Sequence, residues 1–265
     1  MRKVIILILF AAASTQMLSS QVADTINRTD SSGMKQGYWR VDYPNGRPLY
    51  KGYFVNDRPV GEFRRFYEDG TLRALMNHLE NGRDAEATFF HPNGNIAAKG
   101  LYVNQKREGT WRLFSEQTEN YLVGKESYKN NLRHGISLKF YRDSTVAEKV
   151  YYQKGVRHGE WKQYYSNGNR CIVGNYKEGR LHGDFTVYFL NGTYQYIGRY
   201  SDNTRDGTWK VFDEEGELQF EMIYSAGVLK NREEVIEREN QLLDFLERNR
   251  GRISDPEITG TIWDW

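Results

Sequence analysis

GEWKQYYSNGNRCIVGNYKEGRLH, residues Gly159 to His182, decides how this chain is read. A glycine opens it, Trp161 follows two residues later and Tyr164 five after the start; Asn167-Gly168 then interrupts, and Gly174 and Tyr176 mark the second half. Asn-Gly between alternating segments is the strongest short-range hairpin signal, because both residues tolerate the positive φ of a type I′ turn. With Asn167 and Gly168 as the two central turn residues, Ser166 faces Asn169. Counting outward pairs Trp161 with Gly174 and Gly159 with Tyr176. A ring opposite a glycine can lie flat over it and restore the packing surface that glycine lacks. Each large aromatic is therefore expected to cover the glycine facing it in its own hairpin.

The same pattern recurs on both sides. Units start at Gly37, Gly61, Ala85, Gly109, Gly135, Gly159, Gly183 and Gly207, spaced by 24 residues except for one interval of 26. A large aromatic stands two after the start at Trp39, Phe63, Trp111, Trp161, Phe185 and Trp209. Another stands five after it at Phe66, Phe90, Phe114, Phe140, Tyr164, Tyr188 and Phe212. Turn signals follow at Asn45-Gly46, Asp69-Gly70, Asn93-Gly94, Asn191-Gly192 and, more weakly, Glu215-Gly216. Phe54, Tyr102, Tyr152, Tyr176, Tyr200 and Tyr224 lie seventeen after the start, and Tyr128 joins them if the two extra residues of the fourth unit sit in its turn.

Alternation with period two puts the starting glycine, the Trp or Phe, its facing glycine and the late tyrosine on one face, the expected core. The other face carries mostly Glu, Lys, Arg and Thr, interrupted by the aromatic at position five. Eight hairpins give up to sixteen antiparallel strands, a sheet of roughly 75 Å at ~4.8 Å per strand that must twist. Neighbouring units supply each other's core, as in other one-dimensional arrays. The array departs from its pattern at Ala85 and Ala87, at Ser137, and at Arg142-Asp143-Ser144-Thr145 in place of Asn-Gly; local irregularity is expected there.

This unit resembles the bacterial variant of the MORN (membrane-occupation-and-recognition-nexus) repeat, G-x-W-x-x-Y-x-x-N-G-x-x-x-x-x-G-x-Y, over residues 37 to about 227. The resemblance implies an elongated, twisted antiparallel sheet of consecutive hairpins. Bacterial relatives carry the labels YwqK-type antitoxin or membrane-binding protein, and the family defines no functional residues to transfer.

The ends differ from the repeats. Arg2 and Lys3 precede the apolar run Val4 to Ala13, ten residues where a membrane-spanning helix needs about 20. Residues 1–20 are therefore expected to be a secretory signal, cleaved after Ser20 or Ala13. No cysteine ends the apolar run to take a lipid anchor. Residues 21–36 read as a linker. Beyond Lys230, Asn231 with Glu234 forms a capping box, and Val235, Ile236, Leu242, Leu243 and Leu246 make one helical stripe. A helix over 231–250 is expected to cap the sheet or to meet a partner helix. The tail 251–265 ends in Trp263-Asp264-Trp265.

Few residues suggest chemistry. His134, His158 and His182 recur one unit apart, hence ~10 Å from one another across two strands, too far to share an ion that needs nitrogens at about 2.0–2.1 Å. Val60, Asp84, Glu108 and Asp206 hold the equivalent place elsewhere. Glu62, Glu86, Glu160 and Asp184 read as a solvated charge ladder. Cys171 is the sole cysteine, so no internal disulfide forms, and no motif places a base beside it. Asn27-Arg28-Thr29 and Asn191-Gly192-Thr193 match the glycosylation pattern by chance. There is no phosphate loop, nucleophile elbow or metal-binding motif.

A balance of 37 basic to 35 acidic side chains, with no basic run, gives no reason to expect nucleic acid. The 19 Tyr, 13 Phe and 6 Trp fall largely on repeat positions and are fold-makers before they are ligand contacts. The expectation is an all-β, exported, non-enzymatic protein with no cofactor, no metal and no catalytic residue. Its extended sheet offers a surface to another envelope or secreted protein. The alternatives are peripheral contact with a membrane, antitoxin-like or immunity-like binding of a partner protein, and stacking of rings on glycans. Open sheet edges carry a risk of dimerisation.

Overall fold

The computed structural model describes residues 26–79 and 83–231. The expected signal segment, the tail and all but the first residue of the expected helix lie outside them. After β1 (Arg28–Thr29) come β2 (Lys35–Asp42) and β3 (Pro48–Val55), the first hairpin. The second is β4 (Arg58–Phe66) with β5 (Leu72–His78), and the third β6 (Ala85–Phe90) with β7 (Ile96–Val103). β8 (Lys106–Phe114) and β9 (Leu122–Lys129) form the fourth, β10 (Leu132–Phe140) and β11 (Val146–Gln153) the fifth. The sixth is β12 (Val156–Tyr164) with β13 (Arg170–Lys177), followed by the short β14 (Arg180–Leu181). The seventh is β15 (Gly183–Tyr188) with β16 (Tyr194–Ser201), and the eighth β17 (Thr204–Phe212) with β18 (Leu218–Ser225). β19 (Val228–Leu229) closes the described chain. Each strand pairs antiparallel with its neighbours in the sequence, except that β14 and β15 both pair with β13 as two parts of one interrupted strand, giving one open meander. Three two-residue strands thus add to the sixteen expected, and one of them, β1, falls inside the stretch read as a linker.

The expected register holds, but not through the expected turn. Trp161 pairs with Gly174, Gly159 with Tyr176, Phe185 with Gly198 and Gly183 with Tyr200. At the Asn-Gly turn, however, Gly168 alone is left-handed (φ +85°). Tyr165 N–H donates to Asn169 O at 2.8 Å and Gly168 N–H to Tyr165 O at 2.9 Å. This is a type I turn followed by a left-handed glycine, a three-residue loop rather than a two-residue one. The Asn167 side-chain oxygen selects it by accepting the Asn169 N–H at 3.0 Å. A bulge then returns the added residue: Tyr164 pairs with Arg170 and Gln163 with Ile172, leaving Cys171 unpaired and both Cys171 and Ile172 buried.

Type I′ turns do occur, between the hairpins. Asn56 and Asp57 have φ of +51° and +62°, and Glu178 and Gly179 +51° and +82°, each pair joining strands whose flanking residues are matched.

The two classes of glycine also have different reasons. The starting glycine is a backbone device: Gly159 has φ +74°, and a Cβ there would meet nothing within 4 Å. It marks the bulge at which pairing with the preceding hairpin shifts, from Val150–Trp161 to Tyr152–Arg157. The second-strand glycine makes room for a ring, mainly one from the following hairpin. A Cβ on Gly198 would lie 2.2 Å from Trp209 Cδ2, one on Gly100 2.2 Å from Trp111 Cδ2, and one on Gly52 2.4 Å from Phe63 Cδ2. At Gly174 it would meet Phe185 of the next hairpin at 3.0 Å and its own Trp161 at 3.4 Å. In a meander a strand has two neighbours, and a hairpin pattern describes only one of them.

Size exchange holds across six of the seven junctions. The pairs run Gly52–Phe63, Gly100–Trp111, Gly174–Phe185 and Gly198–Trp209, but Met76–Ala87 and Glu126–Ser137 reverse large and small; at the seventh, Val150 faces Trp161. The fifth hairpin, expected to be irregular, is therefore well formed, with Ser137 between Glu126 and Val150. Its turn reproduces the others with Ser144 in the left-handed place (φ +71°) and Asp143 accepting the Thr145 N–H at 2.9 Å. The two extra residues of the fourth unit do lie in its turn, between Phe114 and Leu122.

Irregularity does occur before the third unit. An alanine pays 1–2 kcal/mol in the left-handed region, so Ala85 forms no bulge and stays paired with His78 in unshifted register. Leu79 N–H donates to Asp84 O at 2.9 Å, continuing the pairing by one step beyond His78 and Ala85.

Where both places carry rings, those two and seventeen after the start interleave along the core face. Trp209 packs edge-on to Tyr200 and Tyr224, and Trp111 edge-on to Tyr102 and Tyr128. Trp111 and Trp209 are fully buried. A further aromatic, six after the start, ties units together. Tyr43, Tyr67, Tyr141 and Tyr165 each donate a hydroxyl to the carbonyl of residue i+23, in the next hairpin.

Candidate binding surface

The residues that first suggested chemistry are used by the fold. His134, His158 and His182 each precede a left-handed glycine, and His182 Nδ1 lies 3.5 Å from Asp202 Oδ1. Among the described residues no group of three His, Cys, Asp or Glu could hold a metal ion. Glu62 pairs with Arg64 and Glu160 with Lys162, both at 2.6 Å, along one strand face. Cys171 is fully buried in its bulge, and burial pushes its thiol up, so it stays protonated and poorly nucleophilic.

A row of arginines, missed on reading the sequence, runs along the core face at the I′-turn side. Arg83, Arg107, Arg133, Arg157 and Arg205 all stand two residues before a unit start. The signal was present as a 24-residue period, hidden behind the more conspicuous histidine beside it. Arg107, Arg133, Arg157 and Arg205 lie over the rings of Tyr128, Tyr152, Tyr176 and Tyr224, 4.1–5.3 Å from the ring centres.

Hydrogen bonds join three units of this row into one chain. Arg107 donates to the Tyr128 hydroxyl at 3.0 Å, and that hydroxyl donates to Glu126 at 2.5 Å. Arg133 pairs with Glu126 at 2.5 Å and reaches the Tyr152 hydroxyl at 3.4 Å. Arg157 donates to the hydroxyls of Tyr152 at 3.4 Å and Tyr176 at 3.1 Å. Burial, with the Glu126 carboxylate, pushes the Tyr128 phenol up to about 12. Burial opposes the charge of Arg133, but the attraction of Glu126 outweighs it and holds the guanidinium more firmly protonated. Glu148, also buried, accepts from Trp161 Nε1 at 2.9 Å and pairs with Lys139 at 3.2 Å. These carboxylates are partnered packing groups filling the space that Ser137 leaves, not an acid–base pair.

The row opens into a cleft of about 460 Å³ where the second hairpin meets the third. Met76 and Ala85 form its apolar part, His78 and Tyr102 supply rings, and Arg83 and Arg107 supply charge; Gln105 and Asn131 complete it from the turns. Three departures from the repeat meet here: His78 in the tyrosine place, Ala85 in the left-handed glycine place and Ala87 in the tryptophan place. Burial lowers the affinity of His78 for a proton, so its ring is held neutral.

Comparison with known proteins agrees with the geometry. No curated protein matches the chain. The family described as the MORN repeat variant matches at residues 59–80, 83–104, 157–178 and 205–226, which are the second, third, sixth and eighth hairpins. The chain is therefore a carrier of MORN-variant repeats.

Proposed function

We propose that this is an exported, non-enzymatic repeat protein whose extended sheet binds or scaffolds another protein in the periplasm or cell envelope. The arginine row carries the reading. It sets the guanidinium groups of Arg107, Arg133 and Arg157 at intervals of roughly 10 Å, with Arg205 two units further on, each held on a tyrosine ring, and so presents a periodic row of arginines to a long partner. A partner with acidic groups at similar spacing would meet several at once, gaining avidity without a deep pocket. Repeat arrays commonly act through such extended surfaces.

The test is affinity capture from the envelope fraction of the native cell, using the full chain and an Arg133→Gln/Arg157→Gln variant. The reading expects a discrete partner that the wild type retains and the variant loses at physiological salt. Equal capture by both would remove the arginine row from the interface. The same row favours a second reading, peripheral contact with an anionic membrane. Co-sedimentation with vesicles containing anionic lipid, absent with neutral vesicles, would support it over the first.

A further inference from the structure

We propose that the face of the sheet opposite the core, from β7 to β11, binds a linear acidic polysaccharide. The proposal goes beyond the arginine row, which lies on the other face, and does not depend on it.

The charge follows from the register. The residue three after each unit start and its partners on the neighbouring strands form one row across this face. In the middle of the sheet that row reads Lys99, Arg112, Lys125, Leu138 and Lys149, one residue per strand. Like charges directly opposite one another are destabilising, and Arg112 has one on each side. Elsewhere in the row a cation is paired from its own strand: Arg40 with Asp42, Arg64 with Glu62 and Lys162 with Glu160, at 2.6–2.7 Å. The fourth unit has Thr110 and Phe114 in the two places from which those carboxylates act. Among the described residues no carboxylate pairs with Lys99, Arg112, Lys125 or Lys149. Glu86 and Glu160 stand beyond the band, on β6 and β12, and Glu108 accepts the Asn130 N–H at 2.9 Å. Four cations thus share an open face without a counter-charge, and a bound polyanion would relieve their repulsion.

The shape selects the polyanion. Neighbouring strands rotate by about 20–25°, so the row turns by roughly 90° from β7 to β11. A planar membrane meets only part of such a row, whereas a flexible single chain follows it. Successive places lie ~4.8 Å apart, comparable to the advance of one sugar in an extended glycan. The flank supplies what a sugar uses besides charge. Ile136 and Tyr151 form an exposed cross-strand pair beside Leu138 and Lys149, an apolar platform for the C–H face of a pyranose. Thr110 and Tyr151 offer hydroxyls to those of the sugar. Phe140, half-buried on the other side of the row, carries Lys125 over its ring at 5.6 Å and so offers no open face to a stacked nucleic-acid base.

Calorimetric titration of the full chain with oligogalacturonate, its methyl ester, hyaluronan oligomers, an oligothymidylate and phosphatidylglycerol vesicles tests this. Oligogalacturonate or the hyaluronan oligomer should bind, more weakly as salt rises. The binding should be about tenfold or more tighter than that of the ester, the oligothymidylate or the vesicles. The better of the two acids shows whether carboxylates on successive or on alternate sugars are engaged. Arg112→Gln should weaken it about tenfold, the loss of one charge-assisted hydrogen bond. Arg112→Glu should abolish it while raising the melting temperature, because Lys99 and Lys125 then face an opposite charge. Binding of neither acid, equal binding of the ester, tighter binding of the oligothymidylate or the vesicles, or a lowered melting temperature in Arg112→Glu would each overturn the assignment.

Discussion

Two glycines of the same chain illustrate how differently one residue type can be used. Gly198 is small because Trp209 occupies the space a side chain would need, whereas Gly159 is free of neighbours and is there for its left-handed backbone. Gly198→Ala should therefore destabilise the protein by about 3 kcal/mol through overpacking, and Gly159→Ala by only about 1 kcal/mol through backbone strain. Urea denaturation of the two variants measures the difference, and equal losses would contradict the distinction. Ser144 is the converse case, a side chain holding a left-handed place that glycine fills in six other turns. Ser144→Gly should stabilise by about 1 kcal/mol, seen as a raised melting temperature; a lowered one would mean that the turn is not strained. Both kinds of glycine were visible in the sequence as a period. Their separate reasons were not, because a spacing does not record φ or the neighbour on the far side.

At the scale of the element, the turns do more than reverse the chain. Asn191 accepts the Thr193 N–H at 3.0 Å and donates to Glu214 O, 23 residues on, at 2.9 Å. Its side chain shapes its own hairpin and bonds it to the next. Asn191→Ala should cost about 2 kcal/mol, while Asn191→Asp, which keeps the acceptor and loses the donor, should cost about half of that. If the two variants melt together, the bond to the next hairpin contributes nothing. The hairpins and their register were legible because the three-residue loop and the bulge that follows it cancel. The turn type was not, since Asn-Gly suits both a type I′ turn and a type I turn closed by a left-handed glycine. The arginine row was equally periodic in the sequence. It gained meaning only when each guanidinium was seen over a tyrosine of the neighbouring strand.

Over the whole molecule, the buried tyrosines link stability to alkaline pH. Burial pushes the Tyr196 phenol up to about 12, as burial and Glu126 do for Tyr128, against 10.0 for the free group. A group whose folded pKa is raised contributes stability that is fully present below its unfolded value and lost as pH rises through the folded one. Stability should therefore be level to about pH 10 and fall steadily toward pH 12, with Tyr128→Phe reducing the slope. Denaturation midpoints measured across that range check it, and a flat profile would show these phenols to be solvated.

The sequence by itself determined the repeat, the strand register and the face that forms the core, because all three follow from local turn signals and period-two alternation. What it could not determine lies between units. Which ring covers which glycine, how Glu126 with Ser137 replaces a glycine with a tryptophan, and why a cleft opens beside Ala85 all depend on contacts across junctions. A sheet strand packs against two neighbours, and a hairpin pattern describes only one of them.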